Sequence, residues 1–173
     1  MPFVLTAPEL AAYDAMRAKT SSAAHQSSGT GGSVKWSIMC VVGSSANQGP
    51  KVIHITECLT NGGNFETPWW FKKTAGTNML SSKDSEVKVC AALDEDYKQA
   101  GAGDMLVSYS SDGPCPSCKE VFKATKKYYN IPTTVMYIKQ KYTCGAKGIH
   151  PNKLYGYSDD QEVDGKGFFA KRL

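Results

Sequence analysis

The stretch Gly103-Asp104-Met105-Leu106-Val107-Ser108-Tyr109, followed after a short polar link by Pro114-Cys115-Pro116-Ser117-Cys118, decides how this chain is read. The first part has the apolar content and β-branching of a buried strand. From Lys119 to Tyr129 the spacing turns helical, with Val121, Phe122, Thr125 and Tyr129 sharing a face. Pro114 is expected at the first helical position, where its missing N–H costs nothing. Cys115 and Cys118, three apart, then lie on one side of the first turn, where a single metal ion reaches both sulfurs. A helix N-terminus also favours thiolate over thiol.

A lone C-x-x-C reads as a zinc site, as redox chemistry or as plain structure. The redox reading wants a thioredoxin-like βαβ context early in the chain, and this motif lies far along it. The zinc reading needs further ligands.

Working outward, 173 residues suffice for one domain with a real core. Net charge is +4, mildly basic, which permits a nucleic-acid partner without demanding one. Arg17 and Arg172 are the only arginines, so bidentate base reading is poorly supplied, whereas lysine for phosphate contact is plentiful. Met1 to Leu5 is too short and uncharged for a signal peptide, and no stretch approaches a membrane span. Six cysteines without such a signal favour a reduced, cytoplasmic interior over a disulfide framework. A secreted effector exported by a specialised machine would show no signal either.

Thr6-Ala7-Pro8-Glu9 has the form of a capping box, opening a short amphipathic helix in which Leu10, Tyr13 and the Arg17 stem share a face. Lys19 to Ser33 reads as a flexible linker containing His25, so residues 1–33 are expected to be an appendage and residues 34–173 the main domain. Trp36 to Val42 and Lys51 to Thr56 read as two strands joined by a Gly/Ser/Asn-rich turn, hence a hairpin. Cys40 and Cys58 are expected as buried small hydrophobes, and His54 falls mid-strand. Cys58 to Ser82 reads as a long loop carrying Asn64 and the run Pro68-Trp69-Trp70-Phe71-Lys72-Lys73. Such a run either stacks bases and holds phosphate or plugs the sheet.

Lys83-Asp84-Ser85-Glu86 precedes a helix expected to reach about Gln99, with Val89, Cys90, Leu93 and Tyr97 as its buried stripe. The acidic start suits simple capping. It also places a carboxylate pair at one helix start and a C-x-x-C at the next, one strand apart. Zinc-dependent nucleobase deaminases carry a ligand-x-Glu at one helix N-terminus and P-C-x-x-C at the next. This chain resembles that superfamily, most closely the polymorphic-toxin deaminases of bacteria with a D-S-E-x-K opening. The matching residues are Asp84-Ser85-Glu86-Val87-Lys88, Pro114 to Cys118, Val121-Phe122 and Tyr129 to Val135. The match covers residues 84–138, and by order of elements 35–138. The departure is the ligand: there is no His-x-Glu or Cys-x-Glu upstream, and His54 precedes Glu57 at the wrong spacing.

The resemblance implies an α/β, cytidine deaminase-like three-layer fold, with a central mixed sheet of about five strands flanked by helices. It implies Zn2+ held by Asp84, Cys115 and Cys118, a carboxylate being an acceptable donor, and Glu86 as the proton carrier in deamination of cytosine to uracil. Substrate contacts are expected from Asn64, Trp69, Trp70, Ser85, Tyr109 and Pro114. Single-stranded DNA is the expected substrate, since the target base must leave any stack; duplex DNA, RNA and free nucleosides are the alternatives. A toxin of this kind acts as a monomer in a target-cell cytoplasm, with no membrane partner and with an immunity protein as a further partner.

Thr133 to Ile138 reads as a strand, continued with basic and aromatic character by Lys139, Lys141 and Tyr142. Cys144 to Lys171 has room for one or two short strands closing the sheet, with Tyr155, Tyr157, Phe168 and Phe169 packing or stacking bases. His150 falls in a loop, and Lys123, Lys126 and Lys127 form a solvated or phosphate-touching face. The rival reading from another class is a non-catalytic zinc- or nucleic-acid-binding module, with Cys90 or Cys144 closing the metal shell.

Overall fold

The computed structural model describes residues 1–20, 35–45, 47–59, 68, 70–71, 84–97, 101, 103–138, 142–143 and 154–173. The expected linker, His25, Asn64, Trp69, Lys139, Lys141, Cys144 and His150 lie outside the described residues.

Strands β1 (Trp36–Ser45) and β2 (Gly49–Leu59) form the expected antiparallel hairpin. On β1, Ile38, Cys40 and Val42 face one side and Met39 and Val41 the other, and all five are fully buried. A strand covered on both faces needs an apolar run rather than alternation. β2 lies at the sheet edge and is mostly accessible, with Lys51, His54, Thr56 and Glu57 interspersed among its apolar residues. Next to β1 on its other side runs β3 (Met105–Ser110), antiparallel, and then β4 (Thr133–Tyr137), parallel to β3. Parallel neighbours need a crossover, and α3 (Pro116–Tyr129) provides it.

The chain closes with β5 (Tyr142–Thr143) and β6 (Leu154–Tyr155), paired with each other, and with β7 (Gln161–Glu162) and β8 (Phe169–Arg172), which join the main sheet. The sheet therefore has six strands in the order β2-β1-β3-β4-β8-β7. The expected mixed α/β sheet is present, with one strand more than anticipated because the last expected strand is a hairpin. Helices α1 (Ala7–Thr20) and α2 (Ser85–Asp96) complete the described helices. No helix among the described residues is long and apolar enough to cross a membrane.

The alternation of strand side chains separates two cores. α2 and α3 pack on the face bearing Met39, Val41, Leu106, Val135 and Tyr137. α1 packs on the opposite face with Ile38, Val107, Tyr109, Met136 and Phe168. That gives three layers. α1 is thus an integral layer rather than the expected appendage, and its buried residues are Glu9, Ala12, Tyr13 and Met16. Leu10 and Arg17 are exposed, so the helix is rotated from the face read in the sequence.

The reason lies in Glu9. The capping box forms, with the Thr6 N–H donating to Glu9 Oε2 at 2.8 Å. The same carboxylate is fully buried and accepts from Thr134 Oγ1 at 2.7 Å, Arg172 Nε at 2.8 Å and Arg172 Nη2 at 2.7 Å. A buried charge is tolerated only when paired and hydrogen-bonded. Glu9 meets this requirement by docking α1 on β4 and β8.

One cross-strand row governs the functional end of the sheet. Cys58, Ser37, Ser110, Tyr137 and Phe169 stand side by side on β2, β1, β3, β4 and β8. β2 and β3 both end at this row, so the chain departs here toward α2 and α3, and both helix N-termini lie at this edge. In sheets with parallel crossovers, sites form beyond such strand ends.

Burial raises the Glu9 pKa, but bonds from Arg172, the Thr6 N–H, Thr134 and the Thr6 hydroxyl outweigh it, leaving the group below its ordinary 4.5. Its stabilisation is therefore present above pH 4.5 and is lost as pH falls through the lower folded-state value. Glu9→Ala should lose about 3 kcal/mol in urea unfolding at neutral pH, with a smaller difference from wild type in acid; equal stability at neutral pH would contradict the docking role.

Candidate metal centre

Asp84 is the N-cap of α2, yet its side chain makes no capping bond to the helix. An N-cap Asp normally accepts from the N2 or N3 amide. Here Oδ2 instead faces two sulfurs, at 3.4 Å from Cys118 Sγ and 3.8 Å from Cys115 Sγ. The reading of the acidic start as mere capping is thereby excluded for Asp84.

The two sulfurs come from the start of α3. Cys115, rather than Pro114, ends the strand-to-helix link: it is the N-cap, and Pro116 holds the first helical position. The expected placement of Pro114 at that position is corrected by two residues, and the geometric reason for a proline passes to Pro116. As N-cap, Cys115 turns its Sγ back over the helix start and accepts from the Cys118 N–H at 3.4 Å. Its Sγ lies 3.2 Å from Cys118 Sγ. Pro114 is buried beside it, and its carbonyl accepts from the Gly156 N–H at 2.9 Å. Gly113 backs onto the same segment so closely that a Cβ would sit 2.7 Å from the Gly156 nitrogen. The residue 155–160 segment therefore walls the helix start.

Asp84, Cys115 and Cys118 place one donor atom each within 4.8 Å of one another. Around zinc, with Zn–S about 2.3 Å and Zn–O about 2.0 Å, tetrahedral angles separate two sulfurs by about 3.7 Å and oxygen from sulfur by about 3.5 Å. The two oxygen–sulfur distances lie within about 0.3 Å of that arrangement, and the sulfurs need to part by about half an ångström. This is the only such cluster among the described residues, and it is compatible with zinc. Cys90 is not part of it; burial pushes its thiol up to about 12. His54 stands on β2 opposite Val41, four residues before the row that carries the site, and also lies outside it.

Protonation follows from contact. The hydrogen bond between the two sulfurs draws the Cys115 thiol down to about 6, helped by Ser117 and the Cys118 N–H against the cost of burial. The same bond, with burial, pushes Cys118 well up. Both sulfurs also face the Asp84 carboxylate, and a cation bound there would displace the thiol protons. Glu86, at the first turn of α2, is buried; burial and then the Asp84 charge raise it to about 8, with the Cys115 charge a smaller contribution.

Several expected substrate contacts lie elsewhere. Tyr109 is on the α1 face of the sheet, edge-on to Tyr13 at 5.7 Å and Trp36 at 5.3 Å, because it is one residue out of phase with Ser110. Trp70 is buried at the far end of the helix pair, stacked on Tyr128 at 4.5 Å and donating from Nε1 to Asp94 at 3.3 Å. Asp94 is ten residues beyond Asp84, about 15 Å along the helix axis. Of the two readings of the aromatic run, plugging holds for Trp70. Ser85 is buried and points into the protein toward Glu86 and Ser37 rather than outward.

Two further residues lie near the site: Tyr157, expected to pack or stack bases, and Lys119, with no site role expected from the sequence. Tyr157 packs against the core cluster that includes Cys118, and its hydroxyl is buried with no hydrogen-bond partner among the described residues. Lys119, one turn after Cys115, holds its Nζ 5.4 Å from the centre of the Tyr157 ring. The sequence offers no spacing signal for this pair, since Tyr157 arrives through the Gly113–Gly156 contact. The chain matches no protein-family model and no curated protein.

Asp84→Ala and Cys118→Ala should each lose most of the zinc that wild type retains, about one ion per chain, after dialysis against a weak chelator; full retention in either would remove that residue from the ligand set. Trp70→Ala should keep zinc while losing about 3–5 kcal/mol of stability; zinc loss from the folded variant would contradict its placement away from the centre.

Proposed function

We propose that the chain is a zinc-dependent deaminase converting cytosine to uracil in nucleic acid, with single-stranded DNA as substrate and toxin-type action as its setting. The observation that carries this reading is a buried glutamate beside a three-donor cluster. Three protein donors leave a fourth position open, the pattern of catalytic rather than structural zinc. When bound, zinc supplies a Lewis acid that makes water nucleophilic at neutral pH.

The remaining chemistry belongs to Glu86. It is two residues from Asp84, in the first turn of the same helix, and so is held next to the cluster. Its burial disfavours the charged form, which suits a carboxyl group that must both accept and return a proton near neutrality. Water adds to C4 of cytosine, forming the C–O bond. Glu86 carries one water proton to the ring nitrogen, where it stays, and then the second, from the new C4 hydroxyl, to the amino group. The C4–N bond breaks, ammonia leaves and uracil remains.

The fit to a polynucleotide rests on charge. Lys119 stands one turn from the cluster, and Lys123 and Lys127 are exposed further along the same helix. A row of lysines suits phosphate contact without base readout. A single strand needs no unpairing before the base enters the site.

Wild type should form uracil in a cytosine-containing single-stranded oligonucleotide, detected as cleavage after uracil-DNA glycosylase treatment. Glu86→Gln should keep its zinc and lose about 10²- to 10⁴-fold in rate. Absence of uracil with zinc-loaded wild type on single strands, duplex DNA, RNA and free cytidine alike would overturn the reading.

A further inference from the structure

Between Glu86 and the middle of the sheet runs a line of three buried hydroxyls. Ser85 Oγ donates to Glu86 Oε2 at 3.2 Å. Ser37 Oγ lies 2.9 Å from Ser85 Oγ, and Ser110 Oγ lies 2.8 Å from Ser37 Oγ. Ser37, Ser85 and Ser110 are at most 2% exposed. Ser37 and Ser110 are direct cross-strand partners at the centre of the row whose other members, Cys58, Tyr137 and Phe169, belong to or pack on the apolar core.

Aliphatic side chains would pack such a sheet-to-helix contact at less cost, since every buried hydroxyl must find a partner. Serines in strands and helix starts commonly bond their own nearby backbone. These bond one another instead, across sequence separations of 48 and 73 residues. The chain also has a direction. Ser85 has a single hydroxyl proton, and it goes to Glu86 Oε2. Ser85 then accepts from Ser37, and Ser37 from Ser110. All three O–H groups point toward the carboxylate, which is thereby anchored at Oε2 to the centre of the sheet.

We infer that Ser37 and Ser110, acting through Ser85, are positioning residues that hold the Glu86 carboxylate in its working orientation. The inference deepens the proposed function and rests on Glu86 being the proton carrier of that reaction. β1 and β3 are each paired with a strand on both sides, and proton carriers lose rate steeply when misplaced. Nothing in this line touches the substrate, so its contribution falls on the chemical step and not on binding.

Ser37→Ala, measured as the folded, zinc-loaded full chain, should lower kcat about 10- to 100-fold, with KM within about twofold of wild type and zinc content unchanged. The Ser37→Ala/Ser110→Ala double variant should fall no further than Ser37→Ala alone, because both changes break one line. A crystal structure of Ser37→Ala should show Glu86 displaced or split between rotamers, where wild type shows one. Ser110→Ala serves for the same measurements if Ser37→Ala does not fold. Unchanged kcat, or independent and additive losses, would overturn the inference, as would Glu86 in a single unaltered rotamer. That last readout needs no turnover. An inactive wild type would therefore sink the proposed function while the rotamer still decides whether the serines position Glu86.

Discussion

The rest of the structure depends on bringing one carboxylate and two sulfurs into contact at the meeting of two helix N-termini. Asp84, Cys115 and Cys118 lie within a few ångströms of one another, with Glu86 buried beside them. Charged together without a cation, these groups repel, and after burial the Asp84 charge contributes most to raising Glu86. Two helix dipoles offset part of that repulsion, each contributing at most about 2 kcal/mol in a partly buried setting. A divalent cation attracts each charged group of the cluster and outweighs the repulsion among them. The arrangement is that of a centre organised for positive charge.

The fold serves that contact from both faces. The parallel β3–β4 pair forces a crossover, and the crossover helix starts at Cys115. The hairpin returns β2 to the same sheet edge, from which α2 begins with Asp84. On the opposite face, Glu9 and Arg172 tie the first helix to the last strand. That tie fixes β8 against β4. Tyr137 of β4 in turn accepts the Tyr157 N–H at 3.0 Å, holding the segment that walls the site. Stability on the α1 side and geometry on the side of the metal-ligand cluster are linked through β4.

The elements around the site were legible in the sequence because their signals are local. An apolar β-branched run, a C-x-x-C and an N-cap pattern each operate within one turn or strand, and together they specified β3, α3, α2 and their order. What was misread depends on phase and on long-range contact. Tyr109 differs from Ser110 by one residue, and in a strand one residue means the other face. Trp70 carries the composition of a base-stacking residue, but only its packing against Tyr128 and Asp94 shows that it plugs the far end of the helices. α1 looked dispensable because its weak amphipathic pattern hides a buried glutamate whose partner, Arg172, is 163 residues away. The α2 stripe was read as four residues, whereas its first nine are all buried, since sheet, α3 and loops enclose it. The serine line was invisible for the same reason: its members are unremarkable singly and meaningful only in register.

Zinc K-edge X-ray absorption on the zinc-loaded full chain tests the central claim most directly. The account predicts a first shell of two sulfurs at about 2.3 Å and two oxygen donors at about 2.0 Å, one from Asp84 and one exchangeable. Replacing Cys118 with alanine should remove a sulfur from that shell. Three or four sulfurs, or a histidine-type scattering pattern, would mean a closed shell built from other residues, and the open catalytic centre described above would be wrong.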